Sequence, residues 1–312
     1  MSAIQRITPI LPKERGVQTV GFLSVVANGL SMGAIYGLIA LGLTLIFGIM
    51  RIINFAQGAL LMLSMMISYW LWLITGLSPY VLAIIVAPIM FVVGYVSERF
   101  LIKPVLDAQK DVREPVSVLL LTAAFAIVLE NLCLMVFGAD YVMAKTSFSS
   151  STLALGSVTV SASRFYGLLI ALVVAAAFYL FLQYTQIGRN LRATGQDRNA
   201  ASLMGIDITK TYAIAFGIGT ALLAVAAVAL IPFYYVHPSV GAVFMTKAFI
   251  VVVLGGLGSV PGAILGGVII GLIESIAAQY MTATLTAMLV YAVFLLVLFI
   301  KPTGIFGSPY EW

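Results

Sequence analysis

The sequence predicts an all-α fold, a polytopic transmembrane helical bundle of about eight to ten spans. Of its 312 residues, 62% are hydrophobic and 9% are charged, whereas soluble domains have about 45–50% apolar and about 25% charged residues. Because this small number of charged residues could not cover the surface of a water-soluble fold, lipid must surround much of this chain. The apolar residues also occur in long runs, and a run of about 20 such residues crosses a bilayer.

The apolar runs follow one another along the chain and are separated by short polar segments. In order, they are Val17–Met50, Ala56–Leu77, Tyr80–Ser97, Val116–Phe137, Phe165–Tyr184, Tyr212–Ile231, Ala248–Leu257, Ala263–Tyr280 and Leu285–Ile300. The first run is long for one tilted helix and short for two, and Asn28, Ser31 and several glycines interrupt it. Two crossings there and a short crossing at 248–257 give ten spans. Eight is the conservative alternative.

The basic residues predict the orientation of the bundle. Loops 98–115 and 185–211 hold eight of the 16 Lys and Arg residues, and the positive-inside rule places such loops in the cytoplasm. The same rule accounts for the net charge of +5 without a nucleic-acid partner. Loop 138–164 is rich in Ser and Thr and poor in charge, so it faces the outside. Its alternating stretch Thr152–Ser161 predicts a small hairpin.

The terminal segments are interpreted as cytoplasmic tails. Residues 1–16 carry three basic residues against one acidic residue, and no Ala-x-Ala-like cleavage site follows them, so they are not interpreted as a secretory signal. With ten crossings, residues 1–16 and 302–312 both lie in the cytoplasm, and residues 17–301 form the membrane domain.

Neither a nucleotide-hydrolysing motif nor a metal-binding one is found in the sequence. The chain has no Gly-rich phosphate loop ending in Gly-Lys-Ser or Gly-Lys-Thr, so nucleotide hydrolysis is not expected of it. His237 is the single histidine and Cys133 the single cysteine, so neither a metal site nor an internal disulfide is predicted. We assign no catalytic residue, although an intramembrane enzyme stays open as an alternative.

Polar residues within the apolar runs are candidates for a translocation pathway, because such residues are costly in hydrocarbon and normally face protein or water. The candidates are Asn54, Gln57, Gly58, Glu130, Asn131 and Glu274. Asn54 and Gln57 could instead belong to a turn beside a snorkelling Arg51. Glu130 and Glu274 could contact a substrate ammonium group or a coupling proton, or bridge helices; for Glu274 we favour packing or gating.

A glycine- and proline-rich break near residue 258 is a candidate gate or hinge. Its residues are Gly255, Gly256, Gly258, Pro261 and Gly262. Glycine is conformationally permissive and proline lacks an N–H, so both interrupt helices. Close helix packing through small residues is the alternative. This break and the one near residue 54 form a weak internal echo (46–61 with 253–265), but both fall on the cytoplasmic side, which does not suit a simple inverted repeat.

Loop 185–211 is longer than a connector needs to be. It predicts a short helix from Arg198 to Met204, with an Asp197 cap and a stop at Gly205. The small side chains of Ala200 and Ala201 would allow another protein surface to approach closely. An ordinary solvated loop is the alternative.

Here the chain resembles the permeases of ABC importers, and within them the branched-chain amino acid permease family of the LivH type. Residues 195–205 resemble the cytoplasmic coupling segment, although the literal Glu-Ala-Ala triplet is missing. The other matching stretches are 28–42, 47–58, Gly188-Arg189, Arg192-Ala193, Ala200–Ile206, Lys247-Ala248, 253–263 and 301–305. They run through nearly the whole chain.

The resemblance implies a division of labour. This chain would form half of a pathway for branched-chain amino acids across a bacterial inner membrane, beside a homologous LivM-type permease. Two ATPases that use ATP and Mg would dock on the coupling residues Gly195, Asp197, Arg198, Ala200, Ala201, Leu203 and Gly205, and a periplasmic binding protein would deliver the substrate. The chain itself would hold no cofactor. The alternatives are a permease for urea or short amides, an ion-coupled secondary transporter, and a membrane assembly protein without transport.

Overall fold

The computed structural model describes residues 14–108, 116–146, 151–155 and 158–307, and helices dominate them. The elements are α1 Glu14–Met50, α2 Gln57–Thr75, α3 Pro79–Ser97, α4 Lys103–Ala108, α5 Val116–Phe137, β1 Thr152–Leu155, β2 Val158–Ser161, α6 Ala162–Tyr184, α7 Gln186–Gln196, α8 Arg198–Leu203, α9 Ile208–Leu230, α10 Val240–Gly255, α11 Val260–Tyr280 and α12 Ala283–Ile300. A π-helical turn, Glu98–Ile102, joins α3 to α4.

Eight of the described helices are long and apolar enough to cross a membrane. They are α1 from Gly21 onward, α2, α3 with its continuation to Ala108, α5, α6, α9, α11 and α12, whereas α10 is a shorter apolar helix. The predicted all-α, polytopic bundle is confirmed, with the conservative count of eight spans. The chain is therefore a multi-pass membrane protein.

The prediction of two crossings in Val17–Met50 is wrong, because α1 is one continuous helix of 37 residues. The glycines that suggested a break serve close packing instead. A Cβ on Gly33 would lie 2.7 Å from the Val268 Cα, and one on Gly37 would lie 3.2 Å from the Ile264 Cα. Small residues spaced by four let helix backbones approach closely in membranes, and here they seat α1 against α11.

The bundle has two ends that differ in composition. At the basic end, Gly48 of α1 lies against Gly258 and Gly195, so the end of α1, the α10–α11 turn and α7 are together. At the hairpin end, β2 leads into α6, whose Ser163 accepts a hydrogen bond from Tyr80 at the start of α3. Because α1 crosses once, Glu14 lies towards the hairpin end while Lys301 closes α12 at the basic end. Residues 1–13 and 308–312 lie outside the described residues, so the placement of both termini in the cytoplasm stays a prediction.

Two non-helical segments enter the bundle from opposite ends. Gln57 Nε2, at the first residue of α2, donates to the carbonyl of Ile39, which is about 17 Å back from Met50 at 1.5 Å per residue. Residues 51–56 therefore run back along α1 before α2 begins. From the hairpin end, residues 231–239 lead inward to α10, whose Gly241 packs on the Gly58 backbone. Helices α2 and α10 thus start beside each other deep in the bundle.

This arrangement corrects the expected internal echo. Segments 51–56 and 231–239 enter the bundle from opposite ends, an arrangement also found in transporters built from inverted repeats. The Gly255–Gly262 break is the turn from α10 to α11 and does not pair with Asn54. The predicted short span 248–257 is the second half of α10, which begins at Val240.

Helices α1 and α9 form the centre of the bundle. In their most apolar 18-residue windows, 83% of α1 and 78% of α9 is buried, against 11% for α12 and 22% for α5. The predicted hairpin is confirmed, with β1 antiparallel to β2 and Thr152 opposite Ser161. The loop predicted at 98–115 is helical as far as Ala108.

Candidate functional site: a coupling helix and polar clusters in the membrane

The predicted short helix at the basic end is present as α8, Arg198–Leu203. Asp197 caps it, because the Asp197 carboxylate accepts hydrogen bonds from the N–H of Asn199 (2.8 Å) and of Ala200 (3.1 Å). Gly205 follows with φ +83°, a left-handed conformation that glycine adopts without strain. The cap and the stop were both predictable from local sequence.

The outward face of α8 differs in part from the prediction. Ala201 is buried against its own chain, whereas Ala200 is exposed. Leu203 and Met204 project outward with 90% and 83% of their surface exposed. Two adjacent, highly exposed apolar side chains at the end of a capped helix form a surface that fits contact with a partner protein. The sequence prediction included Leu203 but missed Met204.

Helix α7 was also missed, since the loop 185–211 was assigned a single helix. Thr185 caps α7 by accepting from the Gly188 N–H at 3.0 Å, and the inward residues Gly188, Leu191 and Thr194 are buried. Buried positions three residues apart are the signal of an amphipathic helix, and that spacing could have revealed it.

A backbone contact joins α7 to the rest of the basic end. A Cβ on Gly195 would lie 2.7 Å from the Gly48 carbonyl oxygen, and one on Gly48 would lie 3.2 Å from the Gly258 Cα. The segment α7–α8 therefore touches the end of α1 without intervening side chains, and the end of α1 in turn touches the α10–α11 turn. A cavity of about 280 Å³ beside this contact is lined by Thr44, Gln183 and Arg192, among others.

The predicted gate residues form that turn. Gly256 and Gly258 have φ of +104° and +85°, and Gly255 packs backbone to backbone on Gly262. Pro261 lies in the first turn of α11, where its missing N–H costs nothing. The chain after α12 closes the turn, because Ile305 N donates to the Leu254 carbonyl and Phe306 N to that of Gly255. Residues 302–307 are thus packed, while 308–312 lie outside the described residues.

Arg198 of α8 lies close enough to Tyr212 of α9 to interact with its side chain electrostatically. The Glu98 carboxyl lies close enough to Tyr212 to interact with it electrostatically. Glu98 is 1% exposed at the π-helical turn, and its Oε2 has no hydrogen-bond partner among the described residues. The sequence placed Glu98 in a loop, so this buried carboxyl was not predicted as a site residue.

Asn54 and Gln57 are fully buried where α2 begins. The Asn54 Oδ1 accepts from the Ala56 N–H at 3.0 Å, while Asn54 Nδ2 and Gln57 Oε1 have no partner among the described residues. Gly58 follows and packs on Gly241. None of the three lines either of the two described cavities. Their pathway role stays a prediction.

Glu130 and Asn131 lie near the hairpin end of α5. Together with Tyr141 and His237 they line a cavity of about 260 Å³. The rings of Tyr141 and His237 are 4.4 Å apart between centroids, and partial burial lowers the pKa of His237 below its ordinary value. The Asn131 side chain donates to the carbonyl of Ile127, and Glu130 is the acidic residue among those that line this cavity.

Glu274 has a partner that the sequence prediction missed. Lys247 Nζ lies 2.6 Å from Glu274 Oε1 and donates to Tyr36 Oη at 2.7 Å. The same ammonium is 4.7 Å from the centroid of the Tyr36 ring. Lys247 was noted only as part of a family motif. A lysine within an apolar helix should have been treated as a site residue by default.

Ser31 lies in a sequence motif typical of nucleophilic serines, but it does not have the geometry of a nucleophile. Ser31 lies in a Gly-x-Ser-x-Gly string within α1, and its hydroxyl donates to the Ala27 carbonyl at 2.9 Å. A nucleophile elbow requires a strand-to-helix turn, so this string is a helix-packing element. Within the described residues, no group of His, Cys, Asp and Glu could hold a metal ion.

Comparison with known proteins agrees with this architecture. The family described as "Branched-chain amino acid transport system / permease component" matches residues 25–298. The high-affinity branched-chain amino acid transport system permease protein LivH of Escherichia coli K12 is 32% identical over 94% of this chain and 97% of its own length.

Two further relatives are similarly close. The permease protein BraD of Pseudomonas aeruginosa is 30% identical over 92% of this chain and 96% of its own length. A probable LivH protein of Methanocaldococcus jannaschii is 31% identical over 88% of this chain and 89% of its own. No solved structure matches. With a family match over most of its length and relatives of 30–32% identity over 88–94% of the chain, the chain belongs to the branched-chain amino acid permease family, of the LivH type.

Proposed function

We propose that this chain is one of two permease subunits of an ABC importer and forms half of the pathway for branched-chain amino acids across the plasma membrane. A homologous permease forms the other half, two ATPases supply the energy from ATP and Mg, and a binding protein delivers the substrate. In this assignment the basic end is cytoplasmic, as the positive-inside rule expects.

The observation that carries the proposal is the α7–α8 segment. It presents Leu203 and Met204 outward and rests through Gly195 on the end of α1. A motor outside the membrane can bias a pathway only through a rigid element that contacts both. A carrier driven by an ion gradient has no need of such an element.

The substrate is assigned from the relatives. LivH of E. coli and BraD of P. aeruginosa are named for branched-chain amino acid transport. Urea or short amides are the alternative. Uptake of labelled leucine by the complete transporter, in competition with unlabelled valine or urea, separates the two: valine should compete and urea should not.

The coupling role is tested by a bulky substitution at the backbone contact. Gly195→Trp drives a side chain into Gly48, so co-purification of the ATPases and ATP-dependent leucine uptake should fall at least tenfold. Gly21→Trp is the matched control, because a Cβ there meets nothing within 4 Å, and it should behave as wild type. Both variants should reach the membrane in normal amounts.

A substitution at an exposed side chain tests docking without disturbing the fold. Leu203→Glu changes a side chain that is 90% exposed, so the bundle should fold normally. ATPase binding should still weaken about tenfold or more, since losing a central apolar anchor of an interface costs about 2 kcal/mol. If Leu203→Glu retains both the ATPases and wild-type uptake, α8 is not the docking element.

A further inference from the structure

An ion pair lies at membrane depth on the face of α10. Lys247 is at the middle of α10, Val240–Gly255, and its partner Glu274 is on α11. Tyr36, which accepts from Lys247, is near the middle of the span Gly21–Met50. Charged side chains in a bilayer interior face protein or water and seldom face lipid.

This pair is only partly covered by its own chain. The Lys247 and Glu274 side chains are 22% and 30% exposed. On the same face of α10, Thr246 is exposed and Val243 is 44% exposed. Since lipid is excluded as the neighbour of a charge at this depth, the face must lie against water or against the second half of a pathway.

The pair also has unused hydrogen-bonding capacity. Glu274 Oε2 is buried and has no partner among the described residues. Lys247 has three N–H donors, of which Tyr36 and Glu274 Oε1 receive two. A pair that only bridged helices would gain most from complete satisfaction, because a half-satisfied polar network in a low dielectric is unfavourable.

Aromatic rings form an apolar wall beside the charges. Tyr36 and Phe244 have ring centroids 6.2 Å apart, and Tyr234 and Phe244 are 5.0 Å apart in an edge arrangement. Tyr234 lies in the segment that enters from the hairpin end. The phenolic hydroxyl of Tyr234 can donate a hydrogen bond.

We propose that Lys247 and Glu274 form a transient binding site for the zwitterionic head group of the substrate, with Lys247 taking the carboxylate and Glu274 the ammonium. The aliphatic side chain then packs on Tyr36, Tyr234 and Phe244. This inference rests on the proposed transport of amino acids. It adds a residue-level reason for excluding neutral amides, which can neutralise neither charge.

The test is the accessibility of a single cysteine beside the pair. In a Cys133→Ala background, which removes the chain's one native thiol, Thr246→Cys is labelled with a charged, membrane-impermeant methanethiosulfonate in vesicles holding the complete transporter. Val173→Cys is the control, since Val173 is 66% exposed at the middle of α6. Thr246→Cys should react at least tenfold faster.

Ligand protection tests the chemistry of the site. Millimolar L-leucine should slow labelling of Thr246→Cys at least threefold, whereas isovaleramide, a neutral short amide, should leave it unchanged. Adding Lys247→Met should abolish the protection while labelling continues. Labelling of Thr246→Cys no faster than Val173→Cys, or equal protection by leucine and isovaleramide, would overturn the proposal.

The two proposals fail in different ways. If the complete transporter accumulates leucine with ATP but Thr246→Cys is not labelled, transport stands and the ion pair is structural. If no ATP-dependent uptake occurs whatever the labelling, the proposed function itself is wrong.

Discussion

Two polar sites lie deep in this bundle, and they differ in how the chain treats them. Asn54 and Gln57 are neutral and fully buried at the start of α2. Lys247 and Glu274 are charged, and about a quarter of each side chain is open. A bundle that only needed internal polar contacts would cover the more costly pair first, because charges lose more on desolvation than amides. Here the charged pair, Lys247 and Glu274, is the more exposed of the two.

The difference in exposure indicates two different roles, one structural and one in contact with substrate. The Asn54 side chain caps its own turn and Gln57 ties α2 to the Ile39 carbonyl, so both hold the inward-running segment 51–56 in place. Lys247 and Glu274 connect three helices, α1, α10 and α11, yet keep an open side. We therefore expect substitutions at the first site to affect mainly stability, and substitutions at the second to affect mainly transport.

Removing both charges tests the open site and has the largest expected effect. The double variant Lys247→Met with Glu274→Gln leaves no unpaired charge behind, and uncharged replacements of a buried pair are often tolerated by the fold. Leucine uptake by the complete transporter should fall at least tenfold, while membrane levels and ATPase co-purification stay near wild type. Wild-type uptake by the double variant would make the pair a packing element.

The single variant Lys247→Met is the informative companion. It leaves Glu274 without its cation at membrane depth, and because the pair is partly open the cost should lie below the value of about 3–5 kcal/mol for a fully buried pair. Membrane levels of this variant should therefore be lower than those of the double variant. Equal levels would mean that the two side chains do not depend on each other.

Changing the sealed site should have a smaller effect of another kind. Gln57→Leu removes the hydrogen bond to Ile39, which is worth about 1 kcal/mol, so the melting temperature in detergent should drop by a few degrees. Uptake per folded transporter should stay within about twofold of wild type. A tenfold loss of uptake at unchanged stability would instead move Gln57 into the pathway and erase the distinction between the sites.

Local signals accounted for much of what could be predicted from sequence. Long apolar runs located α2, α3, α5 and α6 within a few residues, and Asp197 with Gly205 marked both ends of α8. Each of these predictions depends only on residues that lie within the same helix or directly beside it in the sequence. The resemblance to the permease family extended the same information to the whole chain.

The remaining features depend on tertiary contacts, which a single sequence does not display. The α1 glycines could mark a break or a packing face, and only the contact with α11 decides for packing. Lys247 and Glu274 are 27 residues apart, so no local pattern pairs them. The start of α10 was obscured by His237 and Pro238, whose segment enters the bundle only because Gly241 packs on Gly58.

We propose that transport through this chain is driven by ATP hydrolysis on partner subunits. The direct measurement is leucine accumulation in proteoliposomes, comparing the complete transporter supplied with ATP and binding protein against this chain alone under a proton or sodium gradient. We expect accumulation with ATP in the complete transporter and none by the isolated chain. Accumulation by the isolated chain under an ion gradient would contradict it and would make the Lys247–Glu274 pair the core of a secondary transporter.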